Sequence, residues 1–276
     1  MLAPVLAALS LLATTPDPVR TVTVVARDFA FVAPDTLPAG ATNFELKNEG
    51  TEFHHLYLVA LKDGKTLADL VAFMQTMKPG EHAAMPSWMV DAGGPNAAVP
   101  AATANGTVVL VPGNYALLCV IPSPDGKPHV MKGMMKPLVV VPAARAAKAA
   151  DLPKADVTIT LSDYDYAFSR PLVAGRRTIR VVNAAPTQSH EMLVVRLLPG
   201  RTVEQFLRFV ETGQGEPPAV VVGGTTPLAD GAAMTFTADV EPGTHALICF
   251  SPDHKDGKPH FVHGMLKTVE VAAAGR

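Results

Sequence analysis

"CVIPSPDGKPHVMKGM", Cys119 to Met134, and "CFSPDHKDGKPHFVHGM", Cys249 to Met265, decide how the chain is read. The chain has only two cysteines, and each opens the same phrase: a Pro and an Asp, then Gly-Lys-Pro-His, then Gly-Met. The match extends outward from there. "VPGNYALLC" lies on "EPGTHALIC", so Cys119 falls on Cys249. Far upstream, Val22–Gly50 lies on Val157–Ala185: Asp28 on Asp163, Phe29 on Tyr164, Ala39-Gly40 on Ala174-Gly175, and Asn48 on Asn183. In the same register "HHLYLVAL" lies on "SHEMLVVRL", which puts His55 on His190. A period this long is one folding unit written twice, not a short solenoid repeat.

Length agrees with this. The 276 residues suffice for two domains of ordinary size. The expected layout is a signal peptide over 1–15, a first domain over 20–142, a linker over 143–155 and a second domain over 156–272. The apolar run from Leu2 to Ala13 before Thr-Pro-Asp carries the signal-peptide reading. It is too short to span a bilayer, which takes about 20 apolar residues. It predicts export to the periplasm or the extracellular space. "VPAARAAKAADLPKAD", Val141–Asp156, has little to bury and reads as the linker with a short helical turn.

Hydrophobic residues make up 48% of the chain and charged ones 17%, so large cores are available. Net charge is −2 with no basic run, which excludes a nucleic-acid or membrane-surface footprint. Within each copy, short runs rich in Val, Leu and aromatics are bounded by Gly and Pro ("VTVVA", "NFELKN", "HLYLVAL", "YALLCV"). These are strands, and several per copy predict an all-β sandwich. One helix interrupts each copy. Leu67, Leu70, Val71 and Met74 follow Thr66 at helical spacing, as Val203, Phe206, Leu207 and Val210 follow Thr202. Thr202 with Gln205 fits a capping box.

Four potential ligands recur in each copy: His55, Cys119, His129 and Met134 in the first, His190, Cys249, His260 and Met265 in the second. A strand-loop-strand corner can bring Cys, His and Met to one point, with His55 or His190 arriving from an earlier strand. Two imidazoles, a thiolate and a weak thioether suit copper, one ion per domain and up to two in all. Structural zinc prefers Cys and His without Met. A lone Cys or His is more often a packing residue; the recurrence of all four types in order is what favours ligation.

On these residues the chain resembles the cupredoxin (type 1 blue copper) family, from about Val22 to Val141 and from about Val157 to Val271. The family closes its domain with G-x-Y-x-x-x-C, then His, then Gly-Met; here that reads "GNYALLC" with His129 and Met134, and "GTHALIC" with His260 and Met265. The resemblance implies two tandem Greek-key β-sandwiches, each with one inserted surface helix. It implies that His55 and His190 are the upstream ligands, and that His129 and His260 lie near the surface where electrons enter. Nine residues separate Cys119 from His129 and ten separate Cys249 from His260, longer than in the small carriers and closer to the type 1 site of copper nitrite reductases.

The favoured function is electron transfer with a redox partner protein. A Cu(I) carrier or store, exchanging copper with a donor or acceptor, is the alternative, and "MQTMKPGEHAAMPSWM" (Met74–Met89) could serve it, although helix core filler explains Met74 better. No H-C-H or H-x-H triplet occurs to feed a second copper centre, so a copper oxidase or nitrite-reductase-like enzyme is the lower-ranked alternative and the expectation is a protein that is not an enzyme. A Cys119–Cys249 disulfide would tie equivalent strands of two domains and is not expected. His254 and His263 exist only in the second copy and read as solvated loop residues, His245 as a packing substitute for Tyr115, and Met192 as core.

Overall fold

The computed structural model of the chain describes residues 19–77, 85–145 and 148–273, without the side chain of residue 150. The expected leader over 1–15 and the centre of the Met-rich stretch lie outside these residues. The first half contains β1 (Arg20–Arg27), β2 (Ala30–Val32), β3 (Thr36–Pro38), β4 (Gly40–Asn48), β5 (Tyr57–Leu61), α1 (Leu67–Thr76), β6 (Met89–Gly93), β7 (Thr103–Leu110), β8 (Gly113–Leu118) and β9 (Met135–Val141). The second contains β10 (Val157–Ser162), β11 (Asp165–Phe168), β12 (Gly175–Asn183), β13 (His190–Leu197), α2 (Val203–Thr212), β14 (Ala219–Leu228), β15 (Ala233–Val240), β16 (Gly243–Ile248) and β17 (Leu266–Val271).

Alternation builds the first layer. In β1 Val22, Val24 and Ala26 are buried, and in β10 Val157, Ile159 and Leu161 are buried, with the residues between them turned outward. Each of these strands folds back antiparallel on a short partner and lies parallel to a later one: Val22 pairs with Phe44, and Val157 with Ile179. β5 and β13 do not alternate, because both of their faces are covered. One face meets the sandwich core around Leu58, Leu117, Val194 and Leu247. The other meets a helix: Leu70 of α1 packs with Tyr57, Val59 and Leu118, and Phe206 of α2 with Leu193, Val195 and Ile248.

The helix ends follow the sequence. The backbone N–H of Thr66 donates to Asp69 Oδ2 at 2.9 Å, and that of Thr202 to Gln205 Oε1 at 3.0 Å. α2 stops at Gly213, whose φ of 62° is left-handed and whose N–H reaches the Phe209 carbonyl. The linker region holds one turn of 3-10 helix, Ala149–Asp151.

The halves do not stand apart as two separate sandwiches. Each sheet runs through both: an 8-stranded sheet ordered β11-β10-β12-β15-β7-β4-β1-β2 and a 9-stranded sheet ordered β17-β16-β13-β14-β6-β5-β8-β9-β3. The joins are between equivalent strands, with Thr107 opposite Thr235 and Ala92 opposite Leu228. Edges that would otherwise offer unpaired backbone groups are thereby covered. Asn105 clamps the first join by donating to the Thr237 carbonyl at 2.7 Å and accepting the Thr237 N–H at 2.9 Å. Next to the second join, glycine lets strands of the same half approach closely: a Cβ on Gly94 would sit 2.0 Å from the Leu56 carbonyl oxygen, and one on Gly224 1.9 Å from that of Met192.

Candidate metal centres

β8 ends at Leu118 and β16 at Ile248, and the next residue in each case is the cysteine. The loop that follows is pinned back to it by four backbone hydrogen bonds. In the first half Cys119 N–H donates to Met134 O, Val130 N–H to Cys119 O, His129 N–H to Ile121 O and Met134 N–H to His129 O, at 2.7–3.2 Å. Cys249, Phe261, His260 and Met265 repeat the pattern. One turn of 3-10 helix carries each histidine, His129–Lys132 and His260–His263. Gly133 and Gly264 then reverse the chain at φ 99° and 102°, which a β-carbon opposes. That is the reason for the Gly-Met pair. The extra residue of the second loop is absorbed between Pro252 and Pro259, which bridge as Pro122 and Pro128 do.

The result is a tight cluster in each half. Cys119 Sγ lies 3.3 Å from Nδ1 of His129 and 3.9 Å from Nδ1 of His54, and those two nitrogens are 3.1 Å apart. Cys249 Sγ lies 3.3 Å from Nδ1 of His260, which is 2.9 Å from Nδ1 of His190. All six residues, with Met134 and Met265, are inaccessible to solvent. A β-sandwich that closes with Cys, His and Gly-Met on one pinned corner, and that draws a histidine from the neighbouring strand to it, decides the fold. Each half is cupredoxin-like.

The outer faces of the imidazoles are also held. His54 Nε2 lies 2.6 Å from Asp28 Oδ1, and His190 Nε2 lies 3.0 Å from Asp163 Oδ1. His129 Nε2 meets Glu52 Oε2 at 2.8 Å, and His260 Nε2 meets Gln188 Oε1 at 3.0 Å. Nε2 facing an acceptor carries the proton, so Nδ1 turns a lone pair into the cluster. Two such lone pairs and one thiol share a dry space, with the thiol hydrogen alone to satisfy them. A cation completes that set. The donors are two imidazoles and a thiol, with a buried Met immediately before the next strand, and each group fits one copper ion.

Burial sets the protonation states. It lowers His54 and His190 below the usual histidine range and takes His260 to about 4; the neighbouring His190 pushes His260 the same way. It raises both thiols to about 12. Burial works to raise Asp28 as well, but hydrogen bonds from Thr51 and His54 win and hold it at about 2. Without metal both thiols are therefore protonated, and His54, His190 and His260 are neutral.

The structure differs from the sequence reading at two points. First, His54 and not His55 enters the cluster. Strand pairing fixes this: Tyr57 lies opposite Leu118, and Leu193 opposite Ile248, so His54 is the counterpart of His190. The turn before the histidine is one residue longer in the second half, and an ungapped register carries His55 onto His190. His55 points away, as strand neighbours do. Its Nε2 accepts the Val120 N–H at 2.9 Å while its backbone N–H points at Cys119 Sγ, 3.5 Å away. Glu191 does the same in the second half, accepting the Phe250 N–H at 3.0 Å and directing its own N–H at Cys249 Sγ from 3.4 Å. Burial lowers His55 to about 3 and raises Glu191 to about 7.

Second, His129 and His260 are buried rather than near the surface. The Phe29 ring covers the first at 4.8 Å and the Tyr164 ring the second at 5.7 Å. The second-half loop histidines are exposed, as expected, and each has a polar partner. His254 Nδ1 bonds to Gln188 at 2.9 Å, and His263 pairs with Asp256 at 3.0 Å. Asp253, Asp256 and His263 form a third cluster of potential ligands. The equivalent residues Asp125 and Lys132 form an ion pair at 3.1 Å, so the second-half cluster reads as the same loop closure with His in place of Lys.

Other expectations fall where they were placed. Both cysteines are free. Met192 is core, and Met74, on α1, and Met89 pack against the cluster around Tyr57, Val59 and Leu70. His245 is buried and bonds to the Gly243 carbonyl at 3.0 Å. Asp28, Glu52, Asp163 and Gln188 were missed, although Asp28 and Asp163 align in the repeat.

No family model matches the chain, and no curated protein does either. Solved structures are similar to it at low identity. A reduced auracyanin from Roseiflexus castenholzii matches with 21% identity over 42% of this chain and 94% of its own, at a TM-score of 0.29. A copper-containing nitrite reductase from Thermus scotoductus matches with 14% identity over 92% of this chain and 62% of its own, at 0.26. A blue copper oxidase from Nitrosomonas europaea matches with 14% identity over 92% and 86%, at 0.28. The cupredoxin-like neighbours thus include enzymes, and they are the ones that span both halves. The expectation that the chain is not an enzyme therefore does not stand, because enzymes are among the matches. Among the described residues no helix is long and apolar enough to cross a membrane.

Proposed function

We propose that the chain is an exported two-domain copper protein that transfers electrons. Its domains run over 20–142 and 156–272. One type 1 site is formed by His54, Cys119, His129 and Met134, and the other by His190, Cys249, His260 and Met265. The observation that carries this is the pair of Nδ1 lone pairs facing a buried thiol in each half, with both outer Nε2 atoms fixed by acceptors.

Copper supplies reversible one-electron chemistry in such a donor set. The chain's own residues do the rest. Asp28, Glu52, Asp163 and Gln188 lock the imidazole rings, so they need not rearrange when charge changes. The N–H groups of His55 and Glu191 sit beside the cysteine sulfur and offset its charge. Phe29 and Tyr164 keep water off the histidines. Rings held this firmly favour electron transfer with a redox partner over carriage, which needs ligands that release the ion. The apolar run Leu2–Ala13 supports export.

The test is to add Cu(II) to the full chain and record the visible spectrum, with Cys119→Ala and Cys249→Ala made singly and together. A strong thiolate-to-copper band that each single variant weakens and the double variant abolishes supports the reading. An unchanged band in the double variant rejects it.

A further inference from the structure

Thr51-Glu52-Phe53-His54 and Thr187-Gln188-Ser189-His190 hold the same place ahead of β5 and β13. At the second position the first half has an acid and the second half its amide. Both side chains receive the same hydrogen, Glu52 from His129 Nε2 at 2.8 Å and Gln188 from His260 Nε2 at 3.0 Å. A buried asparagine steadies both loops: Asn48 donates to the Glu52 carbonyl at 2.7 Å and Asn183 to that of Gln188 at 3.0 Å.

The surroundings are rebuilt to suit the exchange. Gln188 uses its amide hydrogens to donate to Asp163 Oδ1 at 3.1 Å, tying the partners of both histidines together. A carboxylate has no hydrogen to give. In the first half Asp28 instead accepts from the N–H and hydroxyl of Thr51, at 2.8 and 2.7 Å.

We propose that this position makes the two copper sites unequal: Glu52 holds the first at the lower reduction potential, and Gln188 leaves the second as the stronger oxidant. The inference rests on the copper reading above. A hydrogen bond to a charged acceptor is roughly twice as strong as one to a neutral acceptor. It draws the Nε2 proton outward, makes the ring a more basic donor and places a negative charge beside it. All three stabilise Cu(II) over Cu(I). A single electron given to the pair therefore rests in the second half. Glu191, where the first half has His55, is a second carboxyl near Cys249 and turns its oxygen to the Phe250 N–H; the competing charge at the imidazoles is Asp253, 3.8 Å from His260 Nε2. It is engaged instead by the Tyr164 hydroxyl and the Lys255 N–H.

The test uses the full chain with Cys249→Ala or Cys119→Ala, each leaving one thiolate site. The copper-loaded proteins are titrated with a chemical reductant while the visible band is followed. The first site is expected to titrate at the lower potential. Glu52→Gln in the Cys249→Ala protein is expected to raise it, each tenfold loss of Cu(II) preference reading as 59 mV for a one-electron couple. Asp253→Asn in the Cys119→Ala protein is expected to raise the second site by less than Glu52→Gln raises the first; a larger rise, or a first site that titrates at the higher potential in the parent proteins, would overturn the proposal. So would a Glu52→Gln protein that keeps its band at an unmoved potential. If Glu52→Gln does not load copper, Gln188→Glu in the Cys119→Ala protein decides: a lowered potential supports the proposal and an unmoved one refutes it. Absence of the band in both parent proteins is a different failure, that of the copper reading itself.

Discussion

Two adjacent histidines have opposite jobs in this structure, and exchanging them one at a time separates those jobs. In a Cys249→Ala background the first half holds the only thiolate site. His54→Ala removes one of three donors that crowd within 4.8 Å, and the Nδ1 of His129 loses its partner at 3.1 Å. The copper band of this site is expected to vanish, together with the stabilisation that copper gives, about 2.7 kcal/mol when free copper is 100-fold above the Kd. His55→Ala removes no donor from the cluster. It takes away the acceptor of the Val120 N–H, and an unsatisfied buried amide costs about 1–3 kcal/mol. Val120 is 40% exposed, so water can reach that amide and the lower end applies. For a chain of this size about 1 kcal/mol is about 2–4 °C in Tm. The assay is a Cu(II) titration followed in the visible, paired with thermal unfolding with and without copper. His55→Ala should melt a few degrees lower, keep its band and keep its rise in Tm on adding copper. The reverse pattern, with the band lost in His55→Ala and kept in His54→Ala, would refute the geometry.

Three further outcomes follow from the site and the fold. Copper binding at pH 7 should release about one proton per site, because the thiols are raised to about 12 and His260 is lowered to about 4; calorimetry in buffers of different ionisation heat measures it, and a release near zero contradicts the buried thiol. The metal-free chain should lose stability as pH falls from about 6.5 towards 4. In that window unfolded histidines bind protons that the depressed His54, His55, His190 and His260 do not, so stability rises with pH; denaturant midpoints that are flat across the window would count against it. Asp163→Asn should weaken copper binding in the second half about 10- to 100-fold by loosening His190, with the first half unaffected; competition with a chelator in the Cys119→Ala protein reads it.

Much of this was legible along the chain. The duplicated Cys, His and Gly-Met phrase is local, and its backbone pins join residues close in sequence. Strand periodicity and the capped helices are equally local, set by which faces Val22, Val24, Leu70 and Phe206 present. The sequence therefore determined the two sandwich halves, the helix in each and the donor types of the sites. Tertiary structure decided the rest. Neighbours on a strand face opposite ways, so a one-residue difference in a turn settles whether His54 or His55 meets Cys119, and only the pairing of β5 with β8 shows it. Asp28 and Glu52 reach their histidines from 26 and 77 residues away, a distance at which no periodicity speaks. The fusion of the halves into two continuous sheets depends on backbone groups of β6, β7, β14 and β15 meeting edge to edge, and backbone hydrogen bonds leave little mark on which side chains a strand carries.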